Sequence, residues 1–173
     1  MADFDVHPLI SYSQHEVTPG SCNHIVWDVR EPLHSARSAT NPEESPSNFD
    51  TTQFATNPPL PLLHVVCDIF PAYWPIRVER EGGVTVGDVL HSIHTTLIKR
   101  ISQEEYDRLS AKQQERIRLV FENRCNWAAD RDGCRSHGVI RLDCLLEHTG
   151  FAGLSPSFEM DSTCILTLRR LRQ

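Results

Sequence analysis

The residues best suited to chemistry are two acid–base pairs with the same spacing. Asp28 and Arg30 are two residues apart in an extended segment, and Arg141 and Asp143 repeat this arrangement later in the chain. Alternate residues of a strand share a face, so each pair can hold neighbouring strands together through carboxylate–guanidinium contacts. We expect this structural role. The alternative is that all four line one pocket, which could bind an anionic ligand or perform acid/base work.

Two histidines lie three residues apart in a predicted helix. His94 falls between Leu90 and Leu97 on the apolar side, and His91 lies beyond the flank of that stripe. This spacing can place two imidazoles beside one metal ion. We expect instead a buried, hydrogen-bonded His94 and an exposed His91, with a metal or acid/base role as the alternative.

The sequence holds six cysteines and no C-x-x-C pair, which predicts free thiols. Cys125, Cys134 and His137, with Cys144 as a fourth candidate, form the one set of zinc-type ligands. Closely spaced thiolate pairs, which preform half of a tetrahedral site, are missing, so we expect no bound metal and no cofactor. The cysteines inside apolar runs should be core residues. These are Cys67, Cys144 and Cys164, and the remaining cysteine is Cys22.

Hydrophobic patterning predicts the elements that must position these residues. Strands are indicated by alternation of apolar and polar residues or by short apolar runs. The second and third strands should pair as a hairpin. The four predicted strands cover residues 25–30, 60–69, 74–81 and 163–168.

Helices are predicted between the third and the last strand. Apolar residues at helical spacing indicate a helix over residues 86–101. Ser102 and Ser110 each stand where a helix cap is expected, so each should begin a further helix. Residues 129–138 are polar and predict a loop, whereas residues 139–146 could begin as a strand and turn helical.

Strands, then helices, then a returning strand predict an α+β fold. We expect a small mixed or antiparallel sheet of about four to five strands packed against two to three helices. Residues 1–24 should be a partly ordered N-terminal segment, and residues 25–173 should form a single α+β domain. The polar stretch 31–59 offers little to bury and predicts a flexible insertion.

Charge and motifs exclude several function classes. The net charge of −6 and the pI near 5.8 argue against nucleic-acid and membrane partners. No apolar run is long enough for a membrane helix, and the acidic first residues lack the apolar core of a secretory signal, so we expect a cytosolic protein. The common phosphate, dinucleotide, zincin and esterase motifs are absent.

Several short segments, in this order, carry a family resemblance. They are His7-Pro8-Leu9-Ile10, Trp27-Asp28-Val29-Arg30, Ala55-Thr56-Asn57-Pro58-Pro59-Leu60, Val84-Thr85-Val86-Gly87-Asp88-Val89-Leu90, Arg141-Leu142-Asp143 with Leu145, Phe151-Ala152-Gly153-Leu154 and the closing Leu166-Thr167-Leu168. Together they resemble domain of unknown function family 6699, small proteins chiefly from mushroom-forming fungi. The resemblance implies a fungal, intracellular α+β domain with a variable insertion over residues 31–52, and it implies no activity.

The leading functional hypothesis is a non-enzymatic intracellular module that binds a protein or small-molecule partner. It rests on an adequate core without a convergent catalytic motif. The alternative is a small hydrolase- or lyase-like enzyme, in which aspartate or histidine supplies acid/base chemistry and arginine binds an anion. The candidate ligand-binding residues are Asp28, Arg30, His91, His94, Arg141 and Asp143.

Overall fold

The chain divides into two units. Residues 1–94 and 148–173 form the first unit, and residues 95–147 form the second. Within the described residues, every β-strand belongs to the first unit, and three of the four α-helices belong to the second. The computed structural model describes residues 4–12, 25–38, 51–71 and 74–171.

Two short antiparallel pairs come first in the chain. Strand β1 (Asp5–Val6) pairs with β4 (Thr56–Asn57). Strand β2 (Ile25–Val26) pairs with β3 (Arg37–Ser38). Both pairs use residues from the polar stretch 31–59, so part of that stretch forms regular structure.

The main sheet has four strands in the order β6-β5-β8-β7. Strand β5 pairs antiparallel with β6 and parallel with β8, which makes the sheet mixed. Burial alternates along β5 and β6, as the sequence pattern requires. The strands are β5 (Leu62–Val66), β6 (Ile76–Glu79), β7 (Gly150–Pro156) and β8 (Thr163–Arg169). The predicted hairpin and the predicted last strand are therefore confirmed.

The first strand prediction needs correction. The strand over residues 25–30 ends at Val26, and beyond it Asp28 makes only a single bridge with Gly150. A turn follows, in which the Glu31 backbone N–H donates to the Asp28 carbonyl oxygen at 2.9 Å. Asp28 therefore begins a turn and Arg30 lies within it, so the two residues do not share the face of a strand.

Strand β7 was not predicted, and Gly153 explains why. Its φ is +125°, and the register with β8 shifts between Phe151 and Gly153. A Cβ on Gly153 would lie 2.6 Å from the Tyr12 backbone nitrogen. The glycine permits both the irregular strand and the close approach of a second backbone segment, and it interrupts the pattern from which strands are predicted.

Helix α1 (Val86–Leu97) begins as predicted. The Thr85 backbone N–H donates to Asp88 Oδ2 at 2.9 Å, and the Asp88 N–H donates to Thr85 Oγ1 at 3.2 Å. Aspartate thus replaces the usual glutamate of a capping box. The helix ends four residues earlier than predicted, because Arg100 pairs with Ile140 in an isolated bridge.

Capping boxes also begin the next two helices, as the sequence predicts. Before α2 (Gln103–Asp107), the Glu105 N–H donates to Ser102 Oγ at 3.1 Å, and the Ser102 N–H donates to Glu105 Oε2 at 2.6 Å. Ser110 has the same role before α3 (Ala111–Trp127). Local hydrogen bonding therefore decides where both helices begin.

The predicted loop over residues 129–138 is wrong, because it contains helix α4 (Arg131–His137). Asp130 caps its start by accepting a hydrogen bond from the Gly133 N–H at 2.9 Å. Gly138, with φ +85°, ends it. No residue of α4 is buried, so the helix has no apolar stripe by which a pattern could reveal it.

Residues 139–146 begin with a short pairing and then turn. The Arg141 N–H donates to the Lys99 carbonyl oxygen at 2.9 Å, and a 3-10 turn follows over Arg141–Leu145. The interpretation of Arg141 and Asp143 as neighbours on one strand face is therefore wrong. In a 3-10 turn, residues two apart do not share a face.

The polar stretch 31–59 is only partly described, because residues 39–50 lie outside the described residues. Ala55 and Thr56 are buried, contrary to the expectation that the stretch offers little to the core. The flexibility of residues 31–59 and the partial order of residues 1–24 stay predictions.

The predicted α+β class with a small mixed sheet is confirmed. The core of the first unit is built from aliphatic residues of the sheet and α1, together with the predicted strand residue Trp27. No helix in the described part of the chain is long and apolar enough to cross a membrane.

Candidate functional site

Asp143 is the most buried of the candidate site residues, with 1 % of its surface exposed. Its partner is Arg124 of α3, which donates from Nε to Oδ1 and from Nη2 to Oδ2, each at 2.8 Å. The Ile140 backbone N–H donates to Oδ2 at 2.9 Å. The expected pairing between strand neighbours is thus wrong: the carboxylate binds a helix arginine that the sequence analysis did not single out.

Arg124 uses its remaining donors on the end of α4. Nη2 donates to the Gly138 carbonyl oxygen at 3.0 Å, and Nη1 donates to Cys134 Sγ at 2.9 Å. The hydrogen bonds that Arg124 donates to Asp143 raise the pKa of Arg124 above its ordinary value, against the opposing effect of burial. One guanidinium therefore joins α3, α4 and the 3-10 turn.

The two candidate arginines contact different carboxylates. Arg141 is partly buried, and its Nη2 lies 4.0 Å from Glu105 Oε1. Arg30 binds Asp28 through two nitrogens, with Nη2 2.6 Å from Oδ2. Arg30 is largely exposed, so this pair closes a surface turn. A common pocket for all four residues stays a prediction.

The expected exposure of His91 is found, whereas His94 is less buried than expected. His91 is exposed and His94 is half-buried. The imidazole of His94 lies 6.1 Å from the Trp27 ring, measured between centroids. Partial burial, followed by the neighbouring charge of His91, lowers the pKa of His94 below its ordinary value.

The cysteine cluster contains one close pair of thiols. Cys125 Sγ donates to Cys134 Sγ across 2.9 Å. In the described residues, no group of three or more histidine, cysteine, aspartate or glutamate side chains is placed to hold a metal ion. The set of Cys125, Cys134 and His137 therefore does not gather as a zinc site. All described cysteines are free, with Cys67 and Cys164 buried and Cys144 half-buried, and Cys22 lies outside the described residues.

A cavity of about 300 Å³ lies in the second unit, between the start of α2, the middle of α3 and the end of α4. Two arginines, Arg100 and Arg135, line it. In the described residues, neither guanidinium makes an ion pair with a carboxylate. The polar contact of Arg135 is a long one, from Nη2 to Asn126 Oδ1 at 3.4 Å.

The rest of the cavity wall is mostly apolar. It is formed by aliphatic and aromatic side chains together with the polar start of α2. The Tyr106 hydroxyl donates to the Gln114 carbonyl oxygen at 3.2 Å, which fixes the phenol ring. The apolar and aromatic members are Ile101, Tyr106, Phe121 and Val139.

Backbone geometry places Arg100 at the cavity. The Ile101 N–H donates to the Val139 carbonyl oxygen at 3.1 Å, so residues 99–101 run beside residues 139–141. The Arg100 side chain lies against Gly138, where an added Cβ would be 3.2 Å from Nε. Because Gly138 has no side chain, it leaves room for the Arg100 guanidinium.

Sequence reasoning did not find Arg100 or Arg135. Arg100 stands near the end of the predicted helix over residues 86–101 and belongs to no motif, and Arg135 lies in the segment 129–138, which was predicted to be a loop. The local sequence signals in this region are Ser102 and Gly138. They indicate where helices begin and end, and they do not indicate which side chains line a cavity. Arg100 and Arg135 line the same cavity because segments about 35 residues apart in the chain are in contact.

The model of a family of unknown function, DUF6699, matches residues 25–162. The chain belongs to this family. The predicted resemblance is thereby confirmed at the level of the family, while the fungal origin stays a prediction. No curated protein and no solved structure matches the chain. The DUF6699 match includes the whole second unit, and hence the cavity, but carries no activity.

Proposed function

We propose that this DUF6699 chain is a non-enzymatic binding module whose ligand is a small organic anion held in the cavity of the second unit. The observation that carries the proposal is the placement of Arg100 and Arg135 at one cavity, without ion pairs to carboxylates of the described residues. A guanidinium presents a planar set of donors suited to carboxylate or phosphate, so an anion would complete the hydrogen bonding of both side chains.

The cavity wall also favours a particular ligand body. Phe121, Val139 and the fixed Tyr106 ring offer apolar and aromatic surface beside the two arginines. A volume of about 300 Å³ is at the small end of ligand sites. These features fit a compact molecule that carries one carboxylate or phosphate on an aromatic or aliphatic body.

Binding is favoured over catalysis by the chemistry of the lining. The described residues around the cavity include no aspartate, glutamate, histidine or cysteine to act as a general base, and the serine hydroxyl in the lining, that of Ser102, accepts a hydrogen bond from the Glu105 N–H as the cap of α2. The candidate acid Asp143 already accepts three hydrogen bonds elsewhere. A hydrolase- or lyase-like activity therefore has less support than binding.

The cytosol is the compartment that we propose for this function. The five cysteines of the described residues are all free thiols, and thiols stay reduced in a reducing compartment. The net charge of −6 argues against nucleic acid as the anionic ligand, because the chain has no surplus of positive charge to attract a polyanion.

Calorimetric titration tests the proposal with three aromatic probes of similar size. Benzoate and phenyl phosphate should bind, and uncharged benzyl alcohol should not. Arg100→Gln and Arg135→Gln should each weaken binding of phenyl phosphate about 10- to 100-fold, since each removes a charge-assisted hydrogen bond. Arg116→Gln, an exposed arginine of α3 outside the lining, is the matched control and should leave the affinity unchanged.

Either of two results would overturn the proposal. One is an affinity for benzyl alcohol equal to that for the two anions. The other is anion binding that persists unchanged in both cavity variants while the Arg116→Gln control behaves like the wild type.

A further inference from the structure

The second unit holds two cysteine sulfurs much closer together than separate thiols need to be. Cys125 lies in the last turn of α3 and Cys134 in α4, and their Sγ atoms are 2.9 Å apart. A disulfide bond is about 2.04 Å long, so bond formation requires the sulfurs to approach by about 0.9 Å. Eight residues separate the two cysteines in sequence, including the Asp130 cap that begins α4.

The two thiols have different environments. Cys125 is fully buried, and burial together with the hydrogen bond to Cys134 raises its pKa to about 11. Cys134 is partly exposed and accepts a hydrogen bond from Arg124 Nη1 at 2.9 Å. Cys134 is thus accessible to an oxidant in solution, whereas the buried Cys125 is accessible only to Cys134.

We propose that Cys125 and Cys134 are a redox modification site that closes to a reversible disulfide with a small disulfide such as oxidised glutathione as the oxidant. The Cys134 thiolate attacks one sulfur of glutathione disulfide, forms a mixed disulfide and releases a glutathione thiolate. Cys125 then loses its proton and attacks Cys134 Sγ, and the second glutathione leaves. Two cysteine thiols are oxidised, and one glutathione disulfide is reduced to two thiols that take up the two protons.

Arg124 is positioned to keep the geometry of the pair in both states. Its two hydrogen bonds to Asp143 do not involve sulfur, so they persist when the thiolate is consumed. The disulfide would tie the end of α3 to α4, which already share the Arg124 contact with Gly138. Neither cysteine lines the cavity, so the disulfide can form whether or not the proposed ligand is bound there.

Mass spectrometry of the full chain tests the inference directly. After incubation with glutathione disulfide, the intact mass should fall by two hydrogen atoms without added glutathione, and the alkylatable thiols in denaturant should fall from six to four. Trypsin cleaves after Arg124, Arg131 and Arg135, so the disulfide should appear as residues 125–131 linked to residues 132–135. Dithiothreitol should separate these two peptides.

Variants distinguish this pair from the other cysteines. Cys134→Ser should abolish the linked peptide, and Cys125→Ser should stop the reaction at glutathione attached to Cys134. Cys144→Ser, at a half-buried cysteine of the same unit, is the control and should form the link at the wild-type rate. Six alkylatable thiols in the wild type after oxidation, or a link that joins any other cysteine pair, would overturn the inference.

Discussion

At Asp143, a buried carboxylate accepts two hydrogen bonds from one guanidinium and a third from backbone. Such a group is costly to leave without its partner, because a charge in the interior cannot recover its hydration. Asp28 forms a similar pair with Arg30 at the surface, where water competes with the contact. The buried Asp143–Arg124 pair should therefore contribute more to the free energy of unfolding than the exposed Asp28–Arg30 pair.

The two pairs give matched stability predictions. Asp143→Ala should lower the free energy of unfolding by about 2–4 kcal/mol, since it leaves the partly buried Arg124 guanidinium without its carboxylate. Asp28→Ala should cost less than about 1 kcal/mol. In denaturant unfolding, Arg124→Ala combined with Asp143→Ala should cost at least about 1 kcal/mol less than the sum of the single variants. Additive effects would show that the two side chains are not coupled.

His94 should make stability depend on pH. Its pKa in the folded protein lies below the ordinary value of 6.5, mainly because of burial. The unfolded chain therefore binds a proton first as pH falls, so the contribution of His94 to stability is fully present above about pH 6.5 and is lost below it. His94→Gln should reduce the loss of unfolding free energy between pH 7.5 and 5.5, measured by denaturant titration.

The same substitution at exposed His137 is the control for this pH effect. His137→Gln should leave the pH dependence of the wild type intact. A His94→Gln profile parallel to that of the wild type would contradict the effect of burial on this imidazole.

Among the elements, the sequence predicts best those whose ends are determined by residues close together in the chain. Helices α2 and α3 begin where Ser102 and Ser110 predict, because a capping box is formed by residues three apart. Strand β7 and helix α4 were not predicted, for two different reasons. The first is interrupted by a glycine that another backbone segment requires, and the second has no buried residue and hence no apolar stripe.

Two glycines with positive φ provide a matched test of this element-scale account. Gly82 and Gly153 both adopt positive φ, but a Cβ on Gly82 would meet no atom within 4 Å, whereas one on Gly153 would meet the Tyr12 backbone. Gly82→Ala should cost about 1–2 kcal/mol of conformational strain. Gly153→Ala should cost about 1–3 kcal/mol more, from the displaced backbone. Equal melting temperatures for the two variants would argue against the close approach.

At the scale of the whole molecule, the sequence predicted the class of fold and the family, but it did not locate the candidate site. The predicted site residues Asp28, Arg30, His91 and His94 belong to the first unit, whereas the cavity belongs to the second. Alternation and helical spacing report which residues face a core. They carry no signal for exposed arginines such as Arg100 and Arg135, which are brought together by backbone pairing and by the glycine at 138.

The proposed anion site is tested most directly by titrating the nitrogen-15-labelled chain with phenyl phosphate and following backbone amide resonances. The account predicts saturable shifts at the described residues around the cavity, foremost Ile101, Gly138 and Val139, and much smaller shifts for Arg135→Gln at the same concentrations. Shifts confined to the first unit, for example around Asp28 and Arg30, or an unchanged spectrum at millimolar phenyl phosphate, would contradict it.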